Sequence, residues 1–282
     1  MLEVTRLTES NLHWFQSILT PTWMEKLYHD ANTTALGAVR DGAACGVLIF
    51  HEIGPVADIV YLTVSDSYRR QGIATALVQF LCRYANQSVT PVTCTFLAED
   101  DDDPMLNLFR DLPTFTVTEE DGYCCTISFA QLRKPNRLSH LCGLAQNVRP
   151  FFSLPALVQR NFRTHLAAAG VPYLREMSTD PKDYAAELCL CCLTQDSVDA
   201  ALFVEPAEDG LYLSLAWCLP GKQRSLMGLL AQACGRVAAD DSQGNLHLAA
   251  VTPAVTSIAE KLFPDRTITG RFYQAVWDMV VE

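Results

Sequence analysis

The residues best able to do chemistry lie in one stretch, Asp58 to Leu81, DIVYLTVSDSYRRQGIATALVQFL. An apolar strand ends at Val64, a polar turn follows, and a helix starts directly after Arg69-Arg70-Gln71-Gly72-Ile73-Ala74. The first N–H groups of a helix have no partner within it, and the helix dipole adds partial positive charge there. A loop of this kind suits a pyrophosphate. Gly72 lets the backbone approach such a ligand, and Ala74 is too small to obstruct it. Arg69 and Arg70 either add direct charge or stay solvated. A GxxxxGK[ST] loop is missing and no GxGxxG follows the first strand, which removes the P-loop and dinucleotide-fold readings.

Elements of alternating type must position that loop. In the first half, strands are expected at 2–6, 34–40, 43–51, 58–64, 92–97 and 123–129, with hairpin signals at Asp41-Gly42 and Asp121-Gly122. Helices are expected after Thr8-Glu9-Ser10, over 73–84 with apolar Ile73, Leu77, Phe80 and Leu81 at helical spacing, and over 104–110. Arg133-Lys134-Pro135-Asn136 breaks the pattern. The same order of elements then returns about 150 residues on, with helices near 154–169, 224–239 and 255–263 and strands at 187–194, 200–205, 211–219, 246–251 and 272–279. These readings predict an α/β chain of two similar domains, 1–133 and 150–282, joined by a linker at 134–149.

The pattern Arg69, Gly72, Ala74, preceded by Tyr68 and a strand end, resembles motif A of the GNAT acyltransferase superfamily. The order of elements from Leu2 to Phe129 is also that family's. The resemblance implies two GNAT-like domains, each a central mixed, mostly antiparallel sheet flanked by helices, and acetyl-CoA as cosubstrate. It places the cosubstrate's pyrophosphate on the backbone of Arg69, Arg70, Gln71, Gly72, Ile73 and Ala74. Its pantetheine arm would lie along Leu62, Thr63 and Val64, in a cleft between strands 58–64 and 92–97. The implied reaction is direct transfer of an acetyl group to a primary amine, with the amide of Leu62 or Val64 polarising the thioester. Asp58 stands where the histone-acetyltransferase branch has a Glu base, one methylene shorter; its bland reading is a polar start to a strand. The family's Tyr acid has no counterpart, since the matching pair is Leu108-Phe109; Tyr68 or Tyr61 is left as a substitute. The alternative function is a non-catalytic acyl-CoA sensor or pseudoenzyme.

The second half lacks the nest. Its corresponding stretch runs Leu219-Pro220-Gly221-Lys222-Gln223-Arg224-Ser225-Leu226-Met227, and Leu226 and Met227 are expected to crowd the site. It reads as a degenerate copy. Elsewhere, Glu99 to Asp103 is either a field for an ammonium acceptor or a solvated cap on the following helix. His51 and Glu52, ending a hairpin strand, either face the acceptor pocket or form a surface or half-buried polar pair, and Trp14, Trp23, Leu19 and Leu27 are core or acceptor-pocket walls.

Composition supports this picture. The chain has 282 residues, 49% hydrophobic, with 32 acidic against 21 basic side chains. A net charge of -11 disfavours nucleic-acid binding, which needs a basic face. Eleven cysteines, an odd number without paired ligand spacing, read as small buried hydrophobes in a reducing compartment. No metal is expected. The sequence begins without a signal-peptide pattern and has no bilayer-length apolar run, so the expected location is the cytoplasm, with no membrane partner.

Overall fold

The computed structural model describes residues 1–88, 90–133, 138–169, 178–195, 197–239 and 243–277. The chain divides into two units, one of 1–120 together with 272–282, the other of 121–271. The first contains β1 (Leu2–Arg6), a 3-10 turn (Leu12–Phe15), α1 (Pro21–His29), β2 (Thr33–Arg40), β3 (Ala43–Ile53), β4 (Val56–Val64), α2 (Ile73–Asn86), β5 (Val92–Ala98) and α3 (Pro104–Arg110). β6 (Phe115–Ser128) begins there and ends in the second unit. That unit continues with α4 (Phe129–Leu132), β7 (Val148–Pro150), α5 (Ala156–Ala168), β8 (Leu190–Thr194), β9 (Ser197–Ala207), β10 (Gly210–Cys218), α6 (Gln223–Ala239), β11 (Asn245–Ala250) and α7 (Pro253–Leu262). The last strand, β12 (Thr267–Trp277), gives its final residues to the first unit.

The first unit orders its strands β1-β2-β3-β4-β5-β12-β6. β1 to β4 are antiparallel neighbours, whereas β4 and β5 run parallel. One face packs α2 through Ile73, Leu77, Val78 and Leu81 onto Leu36, Leu48, Ile59 and Cys94. The other gathers Leu12, Phe15 and Leu19 over Val47 and Ile49. The second unit runs β6-β11-β10-β9-β8-β7, with β10 and β11 its parallel pair and α6 on the matching face.

Several expectations are corrected. The helix expected after Thr8 is only a 3-10 turn, because Leu12 and Phe15, three apart, supply the buried contacts. The true helix starts at Pro21, whose missing N–H costs nothing at a first position, and the Thr20 hydroxyl caps Trp23 N–H. Asp121-Gly122 makes no turn. β6 runs through it for 14 residues, because its second part finds β11 as a partner from Tyr123 to Ser128. The contacts therefore change units inside a strand, at 120/121, and not at 133. Nor is 134–149 a bare linker: 134–137 lie outside the described residues, but Ser139–Leu144 is a 3-10 helix and β7 a strand. The expected last strand, 272–279, runs from 267 to 277, and 278–279 lie outside the described residues.

The cysteines follow strand alternation. Cys189 and Cys191 enter one core while Cys192 enters the other, so these three do not converge on one ligand. Burial pushes the Cys189 and Cys191 thiols up to about 12.

The placement of β12 carries a prediction. Ala275 is fully buried in the first unit's core, and Tyr273 stacks on Phe96 at 6.0 Å between centroids. Ending the chain at residue 266 removes the strand between β5 and β6 from that unit's sheet, and urea unfolding of the truncated chain should lose the unit's cooperative transition. Tyr273→Ala should lower stability by on the order of 2 kcal/mol.

Candidate functional site

A bulge in β4 sets the site. Ile49 pairs with Tyr61 and Phe50 with Ile59, leaving Val60 as an extra residue. A bulge bends its strand and sharpens the twist. Parallel pairing with β5 covers Ala57–Val92, Asp58–Thr93 and Ile59–Cys94 and stops there. Beyond that point β4 stays paired to β3 from Tyr61 to Val64, while its β5 edge is released. Such an edge accepts an extended ligand as an added strand.

A cavity of about 620 Å³ opens against this edge, within the range usual for small-molecule sites. Leu62, Thr63, Val64, Tyr68, Arg69, Arg70, Gly72, Ile73 and Ala74 form one side, and Met105, Asn107, Leu108 and Asp111 of α3 and its end face them. The helix start is held close to the strand end by Gly46 on β3. A Cβ there would meet Ile73 Cγ2 at 3.0 Å and Thr63 O at 3.2 Å, so only glycine lets α2 settle onto the sheet at this depth.

The loop at 65–72 has the geometry of an anion nest. Arg70 and Gly72 both have positive φ, 60° and 77°, which turns successive N–H groups toward one side. Internal bonding runs up to Arg69 N–H on Asp66 O and resumes with Ala76 N–H on Gly72 O. Arg69 is engaged with its own loop, paired to Asp66 at 2.8 Å and donating Nε–H to Val64 O. Arg70, exposed on the cavity wall, has no carboxylate within 4 Å among the described residues. Gln71 turns its side chain elsewhere: it accepts from Arg40 at 2.7 Å and donates to Ser67 O.

The two catalytic candidates are placed apart. Tyr68 is on the cavity wall. Asp58 faces the α1 side of the sheet, at the point where β4 and β5 are still paired, and its Oδ1 accepts from Thr93 at 2.7 Å. Across β3 it is opposite His51, and the Trp23 ring lies 6.4 Å from His51 and 5.5 Å from Tyr61. Sequence reasoning raised His51 and Trp23 without connecting them to Asp58; only the strand register does so. Phe109 is fully buried against Phe96 and Phe115, so that position does not face the cavity; Leu108 does. The acidic loop is used structurally. Asp103 caps α3 by accepting from Met105 and Leu106 N–H, and Asp101 pairs with Arg110. Among the described residues no cluster of three His, Cys, Asp or Glu is arranged to hold a metal, and no helix is long and apolar enough to cross a membrane.

The second unit repeats the scaffold 154 residues on. Ser214 is its bulge as Val60 is in the first, and its parallel pairing ends at Leu213–Leu248 as the first ends at Ile59–Cys94. What changes is the turn: 219–222 joins β10 to α6 where 65–72 joins β4 to α2. A turn four residues shorter has no room for the nest. Leu226 does not crowd a site, as expected from sequence, but is buried in the core, with Met227 packed against it. Lys222 instead pairs with the buried Asp199 at 2.8 Å, and Thr194 donates to the same carboxylate at 2.6 Å.

Residues 4–137 match the model of the Acetyltransferase (GNAT) family. No curated protein sequence matches the chain. Among solved structures, a tandem GNAT protein from the clavulanic acid biosynthesis pathway is 11% identical with a TM-score of 0.58, all of both chains being covered. A GCN5-related N-acetyltransferase from Kribbella flavida is 15% identical at TM-score 0.56, over 99% of this chain and 72% of that one. Another from Sphaerobacter thermophilus is 15% identical at TM-score 0.54, over 98% and 95%. At these identities the likeness is one of fold.

Two outcomes follow from the loop and its counterpart. Gly72→Val forces a β-branched residue into left-handed backbone, which should cost about 1–2 kcal/mol in urea unfolding. For Asp199, burial alone would raise the carboxyl's pKa, but hydrogen bonds from Lys222 and Thr194 outweigh it and hold the pKa below the ordinary range. A depressed folded pKa contributes stability above the unfolded value, about 3.9, and loses it as pH falls through the folded one. The stability gap between wild type and Asp199→Asn should be full at neutral pH and close below about pH 4.

Proposed function

Given that residues 4–137 match the model of the acetyltransferase (GNAT) family and that the chain has a tandem GNAT fold, we propose that it transfers an acetyl group directly from acetyl-CoA to a primary amine. The first unit is the working one. The observation that carries this reading is the cavity at the released edge of β4. Eight of the nine residues expected to contact the cosubstrate line it, Leu62, Thr63, Val64, Arg69, Arg70, Gly72, Ile73 and Ala74, and only Gln71 turns away.

The residues fit the ligand's chemistry. The amides of the 70–74 turn face a pyrophosphate, Arg70 supplies the uncommitted charge, and the free edge of Leu62–Val64 pairs with the amides of pantetheine. Acetyl-CoA supplies a thioester whose carbonyl carbon is open to attack by an amine. Around it the chain has two tasks. A group on the α1 face must take the ammonium proton, and Asp58 lies on that face between His51 of β3 and Thr93 of β5. The cavity wall must settle the departing sulfur, and the Tyr68 hydroxyl is the candidate donor.

A second reading, a non-catalytic acyl-CoA sensor, is favoured by the pair Leu108-Phe109, which leaves the family's acid position without a hydroxyl. Calorimetry and thiol release separate the two. Acetyl-CoA should bind, and Arg70→Ala should weaken it by about tenfold, the scale of one charge-assisted hydrogen bond. Thiol release should follow addition of pooled primary amines. Binding without release supports the sensor, and absence of binding refutes both.

A further inference from the structure

Four strands of the first unit contribute to one polar row on the α1 face: Thr33 on β2 opposite His51 on β3, His51 opposite Asp58 on β4, and Asp58 opposite Thr93 on β5. The row ends one residue pair short of the place where β4 and β5 separate. Two carboxylates, Asp58 in the row and Asp30 beside it, are both held. Thr93 donates to Asp58 Oδ1, and Thr33 donates to Asp30, the residue ending α1. Those bonds from Thr33 and from Asn32 N–H keep the Asp30 carboxyl below its ordinary pKa, with His51 adding a weaker pull. His51 lies between them. Its Nε2 is shut off from solvent and has no hydrogen-bond partner among the described residues. Against it lies the ring of Trp23, from a helix whose side chains are at most half-buried.

An imidazole N–H buried without a partner costs about 1–3 kcal/mol. In its neutral form the ring avoids that cost by carrying its proton on Nδ1, which leaves a bare lone pair at Nε2. We infer that His51 Nε2, and not Asp58, is the proton acceptor for the acceptor amine, with Asp58 and Asp30 as positioning residues and Trp23 as the side chain that an incoming amine displaces. This rests on the acetyl-transfer reading and names the base within it.

The step balances. R–NH3⁺ gives one proton to Nε2, and its freed lone pair forms the C–N bond to the acetyl carbon. The C–S bond breaks with its electron pair on sulfur, and the second amine proton passes to the thiolate. His51 then returns its proton to solvent, so the sum is amide, free thiol and one H⁺. A neutral imidazole is nearer in basicity to an ammonium than a carboxylate is, which favours His51 over Asp58 as acceptor. The positive charge it gains lies between Asp58 from β4 and Asp30 just after α1, with Tyr61 beyond Trp23 and Lys26 on the Trp23 ring, 5.3 Å from its centroid.

The test compares wild type, His51→Gln and Asp58→Asn in full-length protein. It uses acetyl-CoA with spermidine, lysine amide and alanine amide, following thiol release from pH 5.5 to 9. Acetyl-CoA affinity by calorimetry should stay within twofold in both variants, which establishes that they are folded. In His51→Gln, kcat/KM should fall by about 10²–10⁴-fold and lose the low-pH limb seen in wild type; Asp58→Asn should retain that limb. An unchanged limb in His51→Gln, or its loss in Asp58→Asn alone, overturns the inference while leaving acetyl transfer intact. Absence of thiol release from wild type overturns the transfer reading itself. Nitrogen-15 shifts of His51 give a readout independent of turnover. A bare Nε2 in the free protein is expected, and a protonated one overturns the assignment.

Discussion

Both units depend on a strand that is forced away from its neighbour. In the first, the extra residue Val60 bends β4, and pairing with β5 ends at Ile59–Cys94. Hydrogen bonding that a sheet would otherwise use internally is thereby released along Leu62–Val64. The same bulge changes side-chain parity: Val60 and Tyr61 both face the α1 side, after which Leu62 and Val64 return to the α2 core. One inserted residue thus opens a cavity on one edge and sets Tyr61 beside Trp23 on the other face.

The loop after β4 depends on that geometry. Gly46 lets Ile73 sit down on β3, which brings the start of α2 to the end of β4. With strand and helix this close, the chain between them takes left-handed backbone at Arg70 and Gly72. Glycine accepts that conformation readily and arginine does not. Asp66, Arg69 and Val64 brace the turn from within. The second unit keeps the bulge and the parting of its strands, but with its short 219–222 turn the cation there, Lys222, is committed to Asp199. Loss of the nest is thus a matter of loop length, while the sheet is preserved.

The first unit also depends on the far end of the chain. β12 lies between β5 and β6 in that unit's sheet order, and Tyr273 and Ala275 fill its core beside Phe96. The wall of the cavity that α3 forms rests on the same aromatic group, through Phe109 against Phe96. A ligand site built from residues 62–111 is therefore supported by residues some 170 positions later.

The nest loop, the α2 helix, the Pro104–Arg110 helix and the repeat of elements were legible in the sequence, because each is governed by local rules: turn residues, caps and apolar spacing. Gly72 and Ala74 declare themselves by what their small side chains permit. Other features were not legible. Nothing in Asp121-Gly122 says that β6 continues, since its second half is held by β11, more than a hundred residues away. Val60 looks like any strand valine; only pairing with β3 makes it a bulge. His51, Asp58, Thr33 and Thr93 are scattered polar residues until strand register aligns them in one row. The sequence by itself pointed to most of the local structures and to a loop with the residue types of an anion nest. The tertiary structure decided which edge is free, which unit owns the last strand and which polar groups meet, because pairing between distant strands is a property of the whole sheet and not of any one segment.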